Sequence, residues 1–211
     1  MALKISIVSV TPFQQNCALL WNGETGKGAV IDPGGDVEKI QKAIATAGMT
    51  VENIFLTHGH LDHAGGATEL AKSLGVPVIG PDIHDKPLLD SLPEQAIRFG
   101  VPDMQAVTPD QWLTEGETID IGGLPFEVLH CPGHTPGHVV FINRAGNFGI
   151  FGDVLFQNSV GRTDFPYGDH DALITAIKEK LLPLPDDFLF ICGHGVHSTI
   201  GEERKNNPFI Q

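Results

Sequence analysis

Positive charge is scarce in this sequence. Lysine and arginine number 13 against 26 aspartates and glutamates, a formal net charge of −13. Nucleic-acid affinity draws heavily on cations set against phosphates, so no nucleic-acid partner is expected. Cysteine is scarce too: Cys17, Cys131 and Cys192 are an odd number without regular spacing. That argues against a disulfide framework and for a reducing compartment, read here as the cytoplasm. No apolar run approaches the ~20 residues of a membrane-spanning helix, so no membrane partner is expected. The opening Met1-Ala2-Leu3-Lys4-Ile5-Ser6-Ile7 lacks the basic stretch and long apolar core of a signal peptide. Gly-x-Ser-x-Gly, P-loop and dinucleotide fingerprints are missing, which leaves serine hydrolase, NTPase and dehydrogenase readings without support.

What is present is an ordinary globular composition, 41% apolar and 18% charged, over 211 residues. That length fits a single mixed α/β domain covering 1–211, with a short C-terminal tail from about 195. The 25 glycines and 15 prolines predict many shaped loops. Strands are predicted at 4–10, 16–21, 28–32, 51–57, 77–79, 118–120, 126–130, 139–142, 148–152 and 188–192. Val37, Ile40, Ala43, Ile44 and Ala47 follow helical spacing, with Asp36 as the expected N-cap and Gly48 as the stop. Further helices are expected at 67–74 and from an Asp171 cap to about Lys180. Residues 81–111 support no assignment beyond short helices between proline breaks.

One pattern recurs. A short hydrophobic strand ends, and a histidine or aspartate sits just beyond it, at His58, His134, Asp153 and His194. The segment His58-Gly59-His60-Leu61-Asp62-His63 packs four candidate metal ligands into six residues. Neutral imidazole and carboxylate suit zinc, iron and manganese. His58, His60 and His134 supply three nitrogens for one metal. Asp62, His63 and His194 serve a second, and Asp153 can bridge the two with separate oxygens. A chance cluster on a solvated loop is the bland alternative. The hydrophobic strand before it and the glycines Gly59, Gly65 and Gly66 around it argue against that.

Thr57-His58-Gly59-His60-Leu61-Asp62-His63 resembles the signature of the metallo-β-lactamase superfamily. His134-Thr135-Pro136-Gly137-His138, Phe151-Gly152-Asp153 and Gly193-His194-Gly195 are similar to its later motifs, in order. The resemblance implies an α/β fold of the αβ/βα four-layer type: two mixed sheets face to face, helices outside, metals at one rim. Within the superfamily the chain resembles the glyoxalase II (hydroxyacylglutathione hydrolase) branch in its short bacterial form. Gly152-Asp153-Val154-Leu155-Phe156, Val160-Gly161-Arg162-Thr163-Asp164-Phe165 and the ending Ser198 to Phe209 carry that likeness. Longer glyoxalase II relatives have a C-terminal helical domain that helps bind glutathione, and only about 17 residues follow His194 here.

The resemblance implies hydrolysis of a thioester, foremost an acyl-glutathione such as S-lactoylglutathione, with two divalent metals. Zinc comes first, with iron or manganese as alternatives. A hydroxide bridging the metals is the expected nucleophile, and Asp62 is expected to ligate the second metal and orient it. Arg162, Phe165, Arg204 and Lys205 are the candidate substrate contacts, because glutathione brings two carboxylates into an acidic chain. Rival readings are a mononuclear iron persulfide dioxygenase, and a lactonase or other esterase. His138 reads as a support or packing residue, and Cys131 and Cys192 as small buried hydrophobes rather than ligands. His84, His130, His170 and His197 read as surface or structural.

Overall fold

The computed structural model describes residues 3–101 and 104–211. Met1 and Ala2 of the leader reading, and Pro102 and Asp103 of the unassigned stretch, lie outside the described residues. Strands β1 (Leu3–Val10), β2 (Gln15–Asn22) and β3 (Lys27–Ile31) form an antiparallel meander. The chain crosses through helix α1 (Val37–Ala47) to β4 (Thr50–Phe55), which pairs parallel to β3. Helices α2 (Leu61–Ala64) and α3 (Ala67–Leu74) lead to the parallel edge strand β5 (Val78–Ile79). Helices α4 (Lys86–Asp90) and α5 (Leu92–Phe99) fill part of the stretch left unassigned from sequence.

The second half repeats this plan. Strands β6 (Thr118–Ile121), β7 (Leu124–His130), β8 (Val139–Asn143) and β9 (Phe148–Gly152) are antiparallel neighbours. A small hairpin of β10 (Leu155–Phe156) and β11 (Ser159–Val160) precedes helix α6 (His170–Ala176). Strand β12 (Leu189–Cys192) then pairs parallel to β9, β13 (Ser198–Thr199) adds at the edge, and α7 (Ile200–Asn206) follows. The sheets read β1-β2-β3-β4-β5 and β13-β12-β9-β8-β7-β6.

Three buried clusters account for four layers. Ala18, Leu20, Ile31 and Phe55 of the first sheet meet Phe126, Val128, Phe141 and Ile150 of the second. Phe55 and Phe141 touch edge to face across that seam, ring centres 5.8 Å apart. The outer face of the first sheet packs on Val37, Ile40 and Ile44 of α1 and on Ala67 and Leu70 of α3. The outer face of the second packs on Leu173 and Ala176 of α6 and on Ile200. Each fully buried large side chain stabilises by roughly 1.5–3 kcal/mol. Period-two and 3.6-residue patterns therefore placed most elements correctly, because burial on one face is what those patterns record.

Two caps differ from expectation. Asp36 precedes α1 in a left-handed conformation (φ 48°), and its side chain does not cap the helix. It accepts from the Thr11 backbone N–H instead, 2.9 Å away, tying the β1–β2 turn to α1. Helix α6 is capped by Asp169, which accepts from Ala172 N, so Asp171 lies inside the first turn. The helix ends at Ala176 and continues as one wide π turn over Ile177–Leu181.

The last residues are packed rather than trailing. Glu203 is buried, and its carboxylate accepts from Asn158 N (2.7 Å), from Asn207 Nδ2 (2.9 Å) and from the Ser198 hydroxyl. Asn207 Nδ2 also reaches Ser159 O at 2.9 Å. Helix α7 thus fastens the β10–β11 hairpin. Glu203→Ala strands three donors, each buried bond to a charge contributing about 1.5–3 kcal/mol. A net loss of about 3 kcal/mol lowers Tm by about 6–12 °C at this chain length. A Tm within about 2 °C of wild type in a thermal melt would remove Glu203 from the structural lock.

Candidate metal centre

The strand ends of both sheets converge at one rim. From the first sheet come Asp32 after β3 and His58, His60, Asp62 and His63 after β4. From the second come His134 beyond β7, Asp153 after β9 and His194 beyond β12. Hydrogen bonds cross the seam here: Val139 N donates to Thr57 O (2.8 Å) and Asn16 N to Gly193 O (2.7 Å). Asn16 Nδ2 also donates to Cys192 O and Gly195 O, at 3.0 and 2.9 Å. Glycine is required at 193, where any side chain would overlap the Asp153 carboxylate.

One carboxylate orients both halves of the cluster. Asp32 is buried and accepts from Thr57 N (2.7 Å), Thr57 Oγ1 (2.6 Å) and His63 Nδ1 (2.9 Å). His63 therefore carries a proton on Nδ1 and turns Nε2 toward the other donors. The Thr57 hydroxyl, having donated to Asp32, accepts from His58 Nδ1 at 3.0 Å, so His58 also presents Nε2. His134 Nδ1 donates to Arg162 O (2.8 Å), which again leaves Nε2 free. His60 is reversed: Nε2 donates to the Tyr167 hydroxyl oxygen (2.8 Å) and Nδ1 faces inward.

The free atoms gather in two groups. His60 Nδ1 lies 3.1 Å from His58 Nε2 and 2.9 Å from His134 Nε2. His194 Nε2 lies 3.2 Å from Asp62 Oδ2 and 3.4 Å from His63 Nε2. Asp153 stands between them, Oδ1 3.4 Å from His63 Nε2 and Oδ2 3.5 Å from His134 Nε2. His138 is not in either group. Its Nε2 accepts from Asp153 N at 3.0 Å and its ring stacks on His58, so it positions Asp153.

A second carboxylate clamps the loops from below. Asp85, fully buried, accepts from Gly59 N (2.8 Å), Thr135 Oγ1 (2.8 Å) and Gly137 N (2.6 Å). It joins the His58–His63 loop to the His134 loop. Burial pushes its carboxyl up to about 6, against the pull of those three donors.

The two groups differ in charge. Burial holds His58 well below its usual range and brings His60 down to about 3, with the neighbouring imidazoles adding to the effect. Burial lowers His134 likewise. Burial would also lower His63 and His194, but the carboxylates of Asp153 and Asp62 outweigh it, and both are raised. Burial would raise Asp153 and Asp62, but the histidines hold both below the ordinary carboxylate range.

These residues fit divalent metals. Imidazole lone pairs face one another at 2.9–3.1 Å with no proton to share between them. Asp153 Oδ1 is buried without a hydrogen-bond partner, although His63 lies within ion-pair distance. A cation satisfies both conditions at once. Each group has its donor atoms within 4.8 Å of one another. Asp32, His58 and His63 also meet that spacing, but the Asp32 oxygens are already committed to three donors.

The cluster lies at the base of a cavity of about 970 Å³. Of the substrate contacts expected from sequence, Arg162 and Phe165 line it. The Phe165 ring sits 5.0 Å from His60 and stacks on Tyr167, and the Arg162 guanidinium lies 4.5 Å over Phe165. The structure does not bring Arg204 and Lys205 to the cavity. Arg204 donates to the carbonyls of Leu182 and Leu184 and pairs with Asp186, and Lys205 is exposed on α7.

Sequence reasoning missed Asp32, Thr57, Asp85, Asn16 and Tyr167 as site residues. Asp32 carried a usable signal, an acid directly after a buried strand, the same pattern that marked Asp153. Asp85 lies in the stretch with no readable period.

The profile of the metallo-beta-lactamase superfamily matches residues 10–194. The chain is 49% identical over 209 residues to hydroxyacylglutathione hydrolase GloC of Haemophilus influenzae, covering 99% of this chain and 98% of that one. The structure of BLEG-1, a B3 metallo-beta-lactamase, superposes with a TM-score of 0.90 at 34% identity, covering 98% and 99% of the two chains. The structure of TTHA1623 in a di-iron-bound form gives 0.87 at 38% identity, covering 97% and 99%. The chain belongs to the metallo-beta-lactamase superfamily, and it is a hydrolase. Its fold is the expected one, two mixed sheets with helices outside.

The charge difference between the two groups predicts ordered metal loss. A protonated imidazole cannot ligate, so a histidine whose proton is held tightly needs a higher pH to bind metal. His63 and His194 are raised and His58, His60 and His134 are lowered. If each group holds one divalent ion at pH 7.5, dialysis at about pH 5.5 should remove one equivalent before the other, by elemental analysis. Simultaneous loss of both equivalents would contradict this.

Proposed function

We propose that this hydrolase cleaves the thioester of an acyl-glutathione, with S-lactoylglutathione as the representative substrate. The observation that carries the reading is the convergence of seven donor side chains at the base of an open cavity. The full-length likeness to a protein named hydroxyacylglutathione hydrolase supports the substrate class. His58, His60 and His134 would hold one divalent metal, Asp62, His63 and His194 the other, with Asp153 between. Such metals lower the pKa of bound water and polarise a carbonyl. Zinc is our first assignment. The di-iron form of a structural relative supports iron as the second.

The chain's own residues do the rest. Asp62 has two carboxylate oxygens, and Oδ2 faces His194 at 3.2 Å. Its other oxygen can accept a hydrogen bond from the attacking water and hold it in line with the carbonyl. Phe165 and Tyr167 form an aromatic wall beside His60 on one side of the cavity. The leaving thiolate, with a thiol pKa of ~8.5, departs without a dedicated general acid. All three cysteines are free and buried, which supports a reducing, cytoplasmic setting. Among the described residues, no helix is long and apolar enough to cross a membrane.

The 34% identity to a B3 metallo-beta-lactamase favours a second reading, β-lactam hydrolysis. Parallel assays with S-lactoylglutathione and a chromogenic cephalosporin separate the two. We expect the thioester to be the better substrate by kcat/KM, and the reverse order would overturn the proposal. Asp62→Ala should lower kcat on the thioester by at least ~10²-fold. Unchanged turnover together with unchanged metal content would take Asp62 out of the mechanism.

A further inference from the structure

Helix α5 forms one wall of the cavity, and its pattern is two-sided. Leu92 and Ala96 are buried against the core, whereas Ser91, Gln95 and Arg98 line the cavity at helical spacing. Gln95 Nε2 donates to Leu88 O (2.9 Å) and Ser91 Oγ (3.1 Å), which pins the middle of this polar stripe. Phe99 at the helix end meets Phe13 of the β1–β2 turn edge to face, ring centres 6.2 Å apart, so the wall is braced to the first sheet. The helix packs beside α2, which carries Asp62 and His63.

Charges lining the cavity are few. Asp62 and Asp153 belong to the donor set. Arg162 Nε and Nη2 each donate to Asp164, both at 2.7 Å, so that pair is neutral as a unit. Arg98 is exposed and, among the described residues, has no ion-pair partner. Among the described residues that line the cavity, it is the arginine without a carboxylate partner.

We infer that Arg98, presented by the polar face of α5, is the carboxylate anchor that selects anionic thioesters in this cavity. The inference rests on the hydrolase reading above and assigns its charge selectivity to a residue far in sequence from every metal-donor motif. A guanidinium offers five donors in a planar fork matched to a carboxylate, and an unpaired one breaks no existing ion pair by binding it. Arg162, already clamped by Asp164, contributes packing through Phe165 more than it contributes charge.

The test compares S-lactoylglutathione with a neutral S-acyl N-acetylcysteamine thioester on the metal-loaded enzyme. Arg98→Gln should raise KM for S-lactoylglutathione about 10-fold, the lower end for a charge-assisted contact because the site is exposed. The kcat for that substrate, and kcat/KM for the neutral thioester, should stay within about 2-fold, the signature of lost uniform binding. Arg98→Lys should recover part of the loss, which separates charge from any defect in folding. Equal loss on both substrates, or no loss on either, overturns the assignment. If wild type cleaves neither thioester, the hydrolase reading of the substrate fails on its own. Arg98 is then judged by calorimetry with glutathione: weaker binding in Arg98→Gln supports it, and unchanged or absent binding to wild type overturns it.

Discussion

The site depends on one buried carboxylate that binds no metal in our assignment. Asp32 takes three hydrogen bonds, and through them it fixes the tautomer of His63 directly and of His58 by way of Thr57. Each of the two donor groups therefore owes one lone pair to the same residue. Asp32 itself sits in a left-handed conformation (φ 53°) at the end of β3, with its N–H bonded to Phe55 O. The backbone strain of that position is offset by a carboxylate satisfied on all sides.

The glycines and Asp85 follow from the same constraint. Loops that carry lone pairs inward must approach one another closely, and side chains on the approach would block them. A side chain at Gly34 would overlap the Asp62 backbone. Asp85 replaces the missing side-chain packing with hydrogen bonds to Gly59 and Gly137. Polar satisfaction here does the work that apolar packing does between the sheets.

Much of this was legible in the sequence, and the pattern of what was not is physical. Strands and helices with one buried face announce themselves by period. The seven candidate donors stood out because His58, His134, Asp153 and His194 each follow a hydrophobic strand and His60, Asp62 and His63 crowd beside the first. Asp36 and Asp171 misled because an acid before a helix has several partners open to it. Asp36 found the Thr11 amide, and Asp169 won the α6 cap. Residues 81–111 stayed silent because short helices between prolines bury too few residues to show a period. That silence hid Asp85, whose role exists only through contacts distant in sequence.

The donor set is divided between the two sheets, with His58, His60, Asp62 and His63 from the first and His134, Asp153 and His194 from the second. Ions seated there join the halves of the sandwich as a staple would. Ion affinity and the free energy of folding are then one linked quantity, since the unfolded chain has no such cage. A change anywhere along the seam that lets the sheets slide registers as weaker ion retention. A chelator, conversely, would then act as a mild denaturant aimed at a single edge of the sandwich.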